Sequence, residues 1–122
     1  MKYLKKFESI NNEPKLGDYI MLKLEDVRLY VSHPSTKTLR YVDFINNNIG
    51  IVNNIEYDTN NNLVTIRVVY ENVPSELKQY FLTGMKTKNN SYSRDYSPKN
   101  IVDFASTKEE LEMRLSANKY NI

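Results

Sequence analysis

The sequence predicts a mainly β fold, β with minor α, and three observations carry that prediction. Ile20, Leu22 and Leu24 alternate with Tyr19, Met21 and Lys23. Two longer alternating runs, residues 49–57 and 63–70, flank the polar stretch Asp58-Thr59-Asn60-Asn61-Asn62. Helical spacing is confined to short stretches and to the C-terminal end. Successive side chains of a strand point to opposite faces, so a period of two sets one row on a core and the other toward water.

Pro14 and Gly17 punctuate the N-terminal segment, and Gly17-Asp18 opens the first strand. Glu25-Asp26 is a polar break, after which Val27, Leu29 and Val31 alternate with Arg28 and Tyr30 as a tight hairpin or a bent continuation. Ser32-His33-Pro34-Ser35 ends that strand, because proline fixes its own φ and pushes the residue before it out of the helical region. Leu39, Val42 and Ile45 recur at a spacing of three, which fits a short helix. In the next run Ile49, Ile51, Ile55 and Tyr57 share one face, with Gly50, Val52, Asn54 and Glu56 opposite. Val64, Ile66, Val68 and Tyr70 share a face of the following run, and turn chemistry at 58–62 joins the two as a hairpin.

Pro74 suits a first helical turn, and Leu77 and Phe81 are four apart, so residues 73–81 read as a short helix. Beyond Gly84 the chain is polar until Ile101–Phe104, a short last strand. Ser106 with Glu109 forms a capping box. Leu111 and Leu115 follow on one face and Glu110 stands four before Arg114, which predicts a C-terminal helix over about 107–117.

The chain has 122 residues, 40% of them hydrophobic and 26% charged, with a net charge of +2 and no cysteine. This length suits a single domain, 1–122, because two cores would each bury too little apolar surface. A mean hydropathy of -0.61 marks a polar surface over a modest core. Without cysteine there is neither a disulfide framework nor a thiolate metal site. The N-terminal MKYLKKFESI lacks the apolar run of a signal peptide, so the expected setting is cytoplasmic with no membrane contact. By the same reading Asn89-Asn90-Ser91, though a glycosylation sequon, is a polar loop.

Leu16-Gly17-Asp18-Tyr19-Ile20 and Asn48-Ile49-Gly50-Ile51-Val52-Asn53-Asn54-Ile55, in this element order, resemble SH3-like small barrels of the KOW type, over about residues 16–104. The frame also resembles small proteins of large bacteriophages, which share the Gly-Asp-Tyr opening, the Ile-Gly strand, Tyr-Glu-Asn-Val-Pro at 70–74 and a capped terminal helix. The resemblance implies an SH3-like small barrel with a short helical turn and a C-terminal helix, a phage origin and a host-cell cytoplasmic setting. Such barrels bind RNA, DNA, peptides and protein subunits, so the fold leaves function open. The chain lacks the strongly basic character of KOW proteins.

Catalysis needs groups of matched proton affinity converging on one point. A lone histidine, His33, lies in a loop, and no signature spacing accompanies it, so the expectation is a protein that is not an enzyme and holds no metal or cofactor. Glu25-Asp26 and Glu109-Glu110 are accounted for by a turn and by a helix N-terminus. One constellation stands above background: Lys86, Lys88, Tyr92, Arg94, Tyr96 and Lys99, in a loop spanning 84–100 with a charge of +3. Cations interleaved with aromatic rings suit a protein partner, since Tyr and Arg are enriched at binding hot spots, and equally suit RNA or single-stranded DNA, whose bases stack on such rings. They also suit a plain solvated loop. Residues 103–112 carry -3 against the loop's +3, which fits head-to-tail self-association without fixing an oligomeric state. The expected role is a noncatalytic binding module with a protein partner, a virion component or an inhibitor of a host or defence enzyme; the alternative is nucleic-acid binding through loop 84–100.

Overall fold

The two alternating runs pair as expected. In the computed structural model, which describes residues 13–25, 35–81 and 91–120 (side chains to 117), β2 (Gly50–Tyr57) and β3 (Leu63–Tyr70) form an antiparallel hairpin. Its loop is held by Asp58, whose Oδ1 accepts the backbone N–H of Asn60 at 2.8 Å and of Asn62 at 2.9 Å. Those N–H donors, Asn62 foremost, hold the Asp58 carboxyl below its ordinary pKa. Asn61 takes the left-handed φ of 64° that asparagine tolerates.

Three shorter strands complete one antiparallel sheet of order β4-β3-β2-β1-β5: β1 (Tyr19–Leu22), β4 (Tyr92–Tyr96) and β5 (Ile101–Ala105). Gly17, at a φ of 89°, makes the turn into β1 and donates its N–H to the Val52 carbonyl at 2.9 Å. β4 and β5 do not pair with each other, so the sheet is open. It is nevertheless curled. A flat five-stranded sheet would hold its outer strands roughly 19 Å apart. Tyr96 and Ile101 are joined only by Ser97 and the 3-10 turn Pro98–Asn100, a tether of about 15 Å at most.

The core lies on one face of this sheet. Ile20 and Leu22 of β1, Val52 of β2, Ile66, Val68 and Tyr70 of β3, and Tyr96 of β4 are buried there. Helix α1 (Thr36–Asn47) covers them with Tyr41 and Ile45, and the 3-10 turn Ser75–Tyr80 with Leu77 and the following Phe81 closes the side. α1 is longer than its apolar spacing predicts because Ser35 caps it, accepting the Thr38 N–H at 3.0 Å. Asn46 Oδ1 accepts the Leu24 N–H at 2.8 Å and ties α1 to the end of β1.

Gly50 is a packing necessity. A Cβ there would lie 2.3 Å from a Val68 methyl and 3.0 Å from the Tyr70 ring. The opposite face carries a row through all five strands, Ala105, Tyr19, Ile51, Val69 and Ser93. Over β5 and β1 it is covered by α2 (Lys108–Tyr120), anchored by the buried Leu111. Arg114 pins that helix, reaching Asp103 at 2.9 Å, Glu110 at 3.1 Å and the Phe104 carbonyl.

Three expectations need correction. The register of β2 shifts between Val52 and Asn54, so Gly50 and Val52 face the core first and Ile55 packs against it after the bulge, while Tyr57 is half exposed. The helix cap is Thr107, whose Oγ1 accepts the Glu110 N–H at 3.2 Å, one residue beyond the Ser106 expected. Residues 92–100 are not loop: they form β4 and a 3-10 turn. The alternating segment 27–31 and His33 lie outside the described residues, as do Lys86, Lys88, Asn89 and Asn90.

Candidate functional site

The candidate residues within the described part of the chain do not act as one group. β4 pairs Val68 with Arg94 and Tyr70 with Tyr92, and directly paired residues share a face. Tyr92, Arg94 and Tyr96 therefore all project on the core side. Tyr96 is 6% exposed, and its hydroxyl meets that of Tyr41 at 2.8 Å. Burial pushes both phenols above the ordinary value of 10.0, Tyr96 the further of the two. Tyr96 is a core residue with no face to offer a base. Lys99 is exposed on the second 3-10 turn, where it lines a cavity of about 330 Å³ with Lys23, Leu24, Glu25, Asn100, Ile101 and Val102.

Tyr92 and Arg94 remain together at the edge of the sheet, and the first 3-10 turn adds two residues to them. Lys78 Nζ stands 5.3 Å above the centre of the Tyr92 ring. The Arg94 guanidinium donates to the Tyr80 carbonyl at 2.6 Å and lies 5.5 Å from the centre of the Tyr41 ring. Tyr80 stacks on Tyr41 at 4.9 Å with an interplanar angle of 15°. Its hydroxyl meets Thr38 Oγ1 at 3.0 Å, and that hydrogen bond, aided by Lys37, draws the Tyr80 phenol below its ordinary pKa.

The result is a pre-built surface of Lys78, Tyr80, Tyr92 and Arg94 at the meeting of β4, the 3-10 turn and the start of α1. Each ring has a face engaged within the chain, and the cations are held by ring faces and by a carbonyl. Cation–π contacts of this kind are worth about 0.5–1 kcal/mol at exposed sites. Arg40, nearby, is neutralised by Glu76 at 2.7 Å. Arg94 differs from Arg40, Arg67 and Arg114, the other arginines whose side chains are described, each of which meets a carboxylate. Rigid aromatic area flanked by an uncompensated cation can accept an acidic or aromatic segment of another molecule.

Sequence reasoning missed Lys78 and Tyr80. The spacing of Leu77 and Phe81 makes residues 73–81 read as a short helix, and the polar residues between them repeat the cation–ring alternation of Tyr92 and Arg94. That repetition was the available signal.

Among the described residues no group of three or more His, Asp or Glu could hold a metal ion, and no helix is long and apolar enough to cross a membrane. No family model matches the chain, and neither a curated protein nor a solved structure is significantly similar to it.

Proposed function

We propose that the chain is a noncatalytic binding module that engages a protein partner through the surface formed by Lys78, Tyr80, Tyr92 and Arg94, with Lys86 and Lys88 on the intervening segment contributing charge. The observation that carries this reading is that the rings are already engaged: Lys78 over Tyr92, Tyr41 under Tyr80, and Tyr96 inside the core. Stacking of nucleic-acid bases uses ring faces, and Lys78 and Tyr41 already take one face each of Tyr92 and Tyr80, which reduces the area left for bases. A protein hot spot needs rigid aromatic area beside arginine, and here that area is fixed before binding, which lowers the ordering cost.

The reading includes the SH3-like small barrel of which β1 to β5 would be the strands. The meander β1-β2-β3-β4, the return of β5 to β1 and the short tether between β4 and β5 support it. It also includes a phage origin, with action in the host-cell cytoplasm, as a virion component or as an inhibitor of a host or defence enzyme.

Affinity purification from an infected and from an expressing host tests the reading. Wild-type chain is expected to retain a stoichiometric protein, and Arg94→Ala combined with Tyr92→Ala to lose it. Failure to recover a partner in both settings overturns it. The nucleic-acid alternative predicts salt-sensitive binding of single strands that disappears when Lys86, Lys88 and Arg94 are replaced, because such binding is driven by counterion release. That outcome would replace the protein reading.

A further inference from the structure

The charge left over on this surface has a counterpart elsewhere on the chain. Arg94 has no carboxylate partner among the described residues, and neither has Lys78 or Lys37. On α2 the converse holds. Glu110 is used by Arg114, whereas Glu109 and Glu112 meet no cation among the described residues. Glu109, Glu112, Met113 and Ser116 are all exposed, and their spacing of three, four and seven puts them on one helical face, opposite the buried Leu111. Met113 stands at the middle of that face, 69% exposed, the largest exposure of any large hydrophobic residue described.

An acidic face with a flexible thioether knob complements a cationic surface paved with tyrosine rings. Glu109 and Glu112 suit Arg94, Lys78 and Lys37, and a methionine sulfur makes favourable contacts at ring edges. A chain cannot satisfy this match with itself. The cationic surface lies on the core side of β4, whereas α2 lies across the other face of the sheet, over β5 and β1. A second copy can.

We infer that the chain self-associates head to tail, the Glu109–Glu112–Met113 face of α2 in one copy docking on the Lys78–Tyr92–Arg94 surface of the next. The inference rests on the proposed protein-binding surface and names its partner as a second copy. The two contact surfaces differ, so the interface is heterologous and extends into a ring or an open chain of copies rather than stopping at a symmetric pair.

Sedimentation of the full chain across the micromolar-to-millimolar range tests it. The mass is expected to rise with concentration and to fall with added salt, since the contact is between surface charges. Glu112→Lys, Met113→Glu and Lys78→Glu should each weaken association roughly tenfold, as reversal or burial of charge at an interface does, with circular dichroism and melting unchanged. Mixing Lys78→Glu with Met113→Glu should give a capped one-to-one pair, because only one competent surface of each remains and the two altered surfaces are both acidic. Lys78→Glu and Glu112→Lys together in one chain should restore growth. A chain that stays monomeric to millimolar concentration at low salt overturns the inference, as does association that ignores substitutions on either surface. If the chain is monomeric while a host or virion protein is still retained and lost with Arg94→Ala, self-association fails and the protein-binding reading stands.

Discussion

The two ends of the sheet are stabilised by different chemistry. At the β3–β4 end, Tyr41, Phe44, Tyr70, Tyr80, Phe81 and Tyr92 interlock at centroid distances of 4.9–6.4 Å. At the β1–β5 end, α2 is seated by Leu111 and pinned from the surface by Arg114. Aromatic packing fixes side-chain geometry through shape and brings hydroxyls into the core that need partners. Aliphatic burial with a surface clamp needs none. The aromatic end is thus the more exacting, and the surface proposed for binding is built on its rim.

Gly50→Ala breaks that end most severely. The added methyl meets Val68 and Tyr70, and overpacking of this kind costs about 1–3 kcal/mol, more where backbone must move. Urea denaturation should show a fall of at least that size, with near-ultraviolet tyrosine signals altered.

Alkaline titration separates the ends next. Tyr41, Tyr70 and Tyr96 all have folded-state phenol pKa values raised by burial above the ordinary 10.0. The unfolded chain therefore loses these protons first. Their contribution is fully present below pH 10 and declines as pH rises above it, by up to about 1.4 kcal/mol per pH unit for each phenol. Chemical denaturation at stepped pH should show that decline, and replacing Tyr70 or Tyr96 by Phe should make it shallower. Absorbance titration should show Tyr80 ionising ahead of the core phenols, since its pKa is lowered.

Hydroxyl deletion tests the pairing requirement at smaller scale. The Tyr70 hydroxyl is buried with no hydrogen-bond partner among the described residues, whereas that of Tyr96 meets Tyr41. Tyr70→Phe should be neutral or stabilising by up to about 1 kcal/mol, and Tyr96→Phe destabilising by about 0.5–1.5 kcal/mol, because it removes the buried hydrogen bond to the Tyr41 hydroxyl and leaves Arg94 as that hydroxyl's partner. Equal effects would contradict the account. Arg114→Ala, at a side chain 43% exposed, should cost under about 1 kcal/mol and register mainly as faster amide exchange in α2.

The long hairpin and the C-terminal helix were legible because their signals are local: alternation over eight residues with an Asp58–Asn62 turn, and a capping residue ahead of spaced leucines. The phase of β2 was not, since a bulge at Asn53 reverses the alternation midway and leaves no mark of its own. β4 carries no strand signal of its own, because Ser93, Arg94 and Asp95 are polar and their place comes from pairing with β3, twenty-odd residues away. Within the candidate site the basic-aromatic character of Tyr92 and Arg94 was visible. The burial of Tyr96 depends on a hydroxyl of α1, and the contribution of Lys78 and Tyr80 on how the 3-10 turn meets β4. Both are tertiary facts.

The central claim is that binding takes place at the rim of the aromatic end. Hydrogen–deuterium exchange of the chain with and without its retained protein tests this most directly. The account predicts added protection at residues 78–81 and 92–96, with none at Asn54, Glu56 and Arg67, which share the opposite face, where Arg67 pairs with Asp95. Protection centred on that opposite face, with residues 78–81 and 92–96 unchanged, would contradict it.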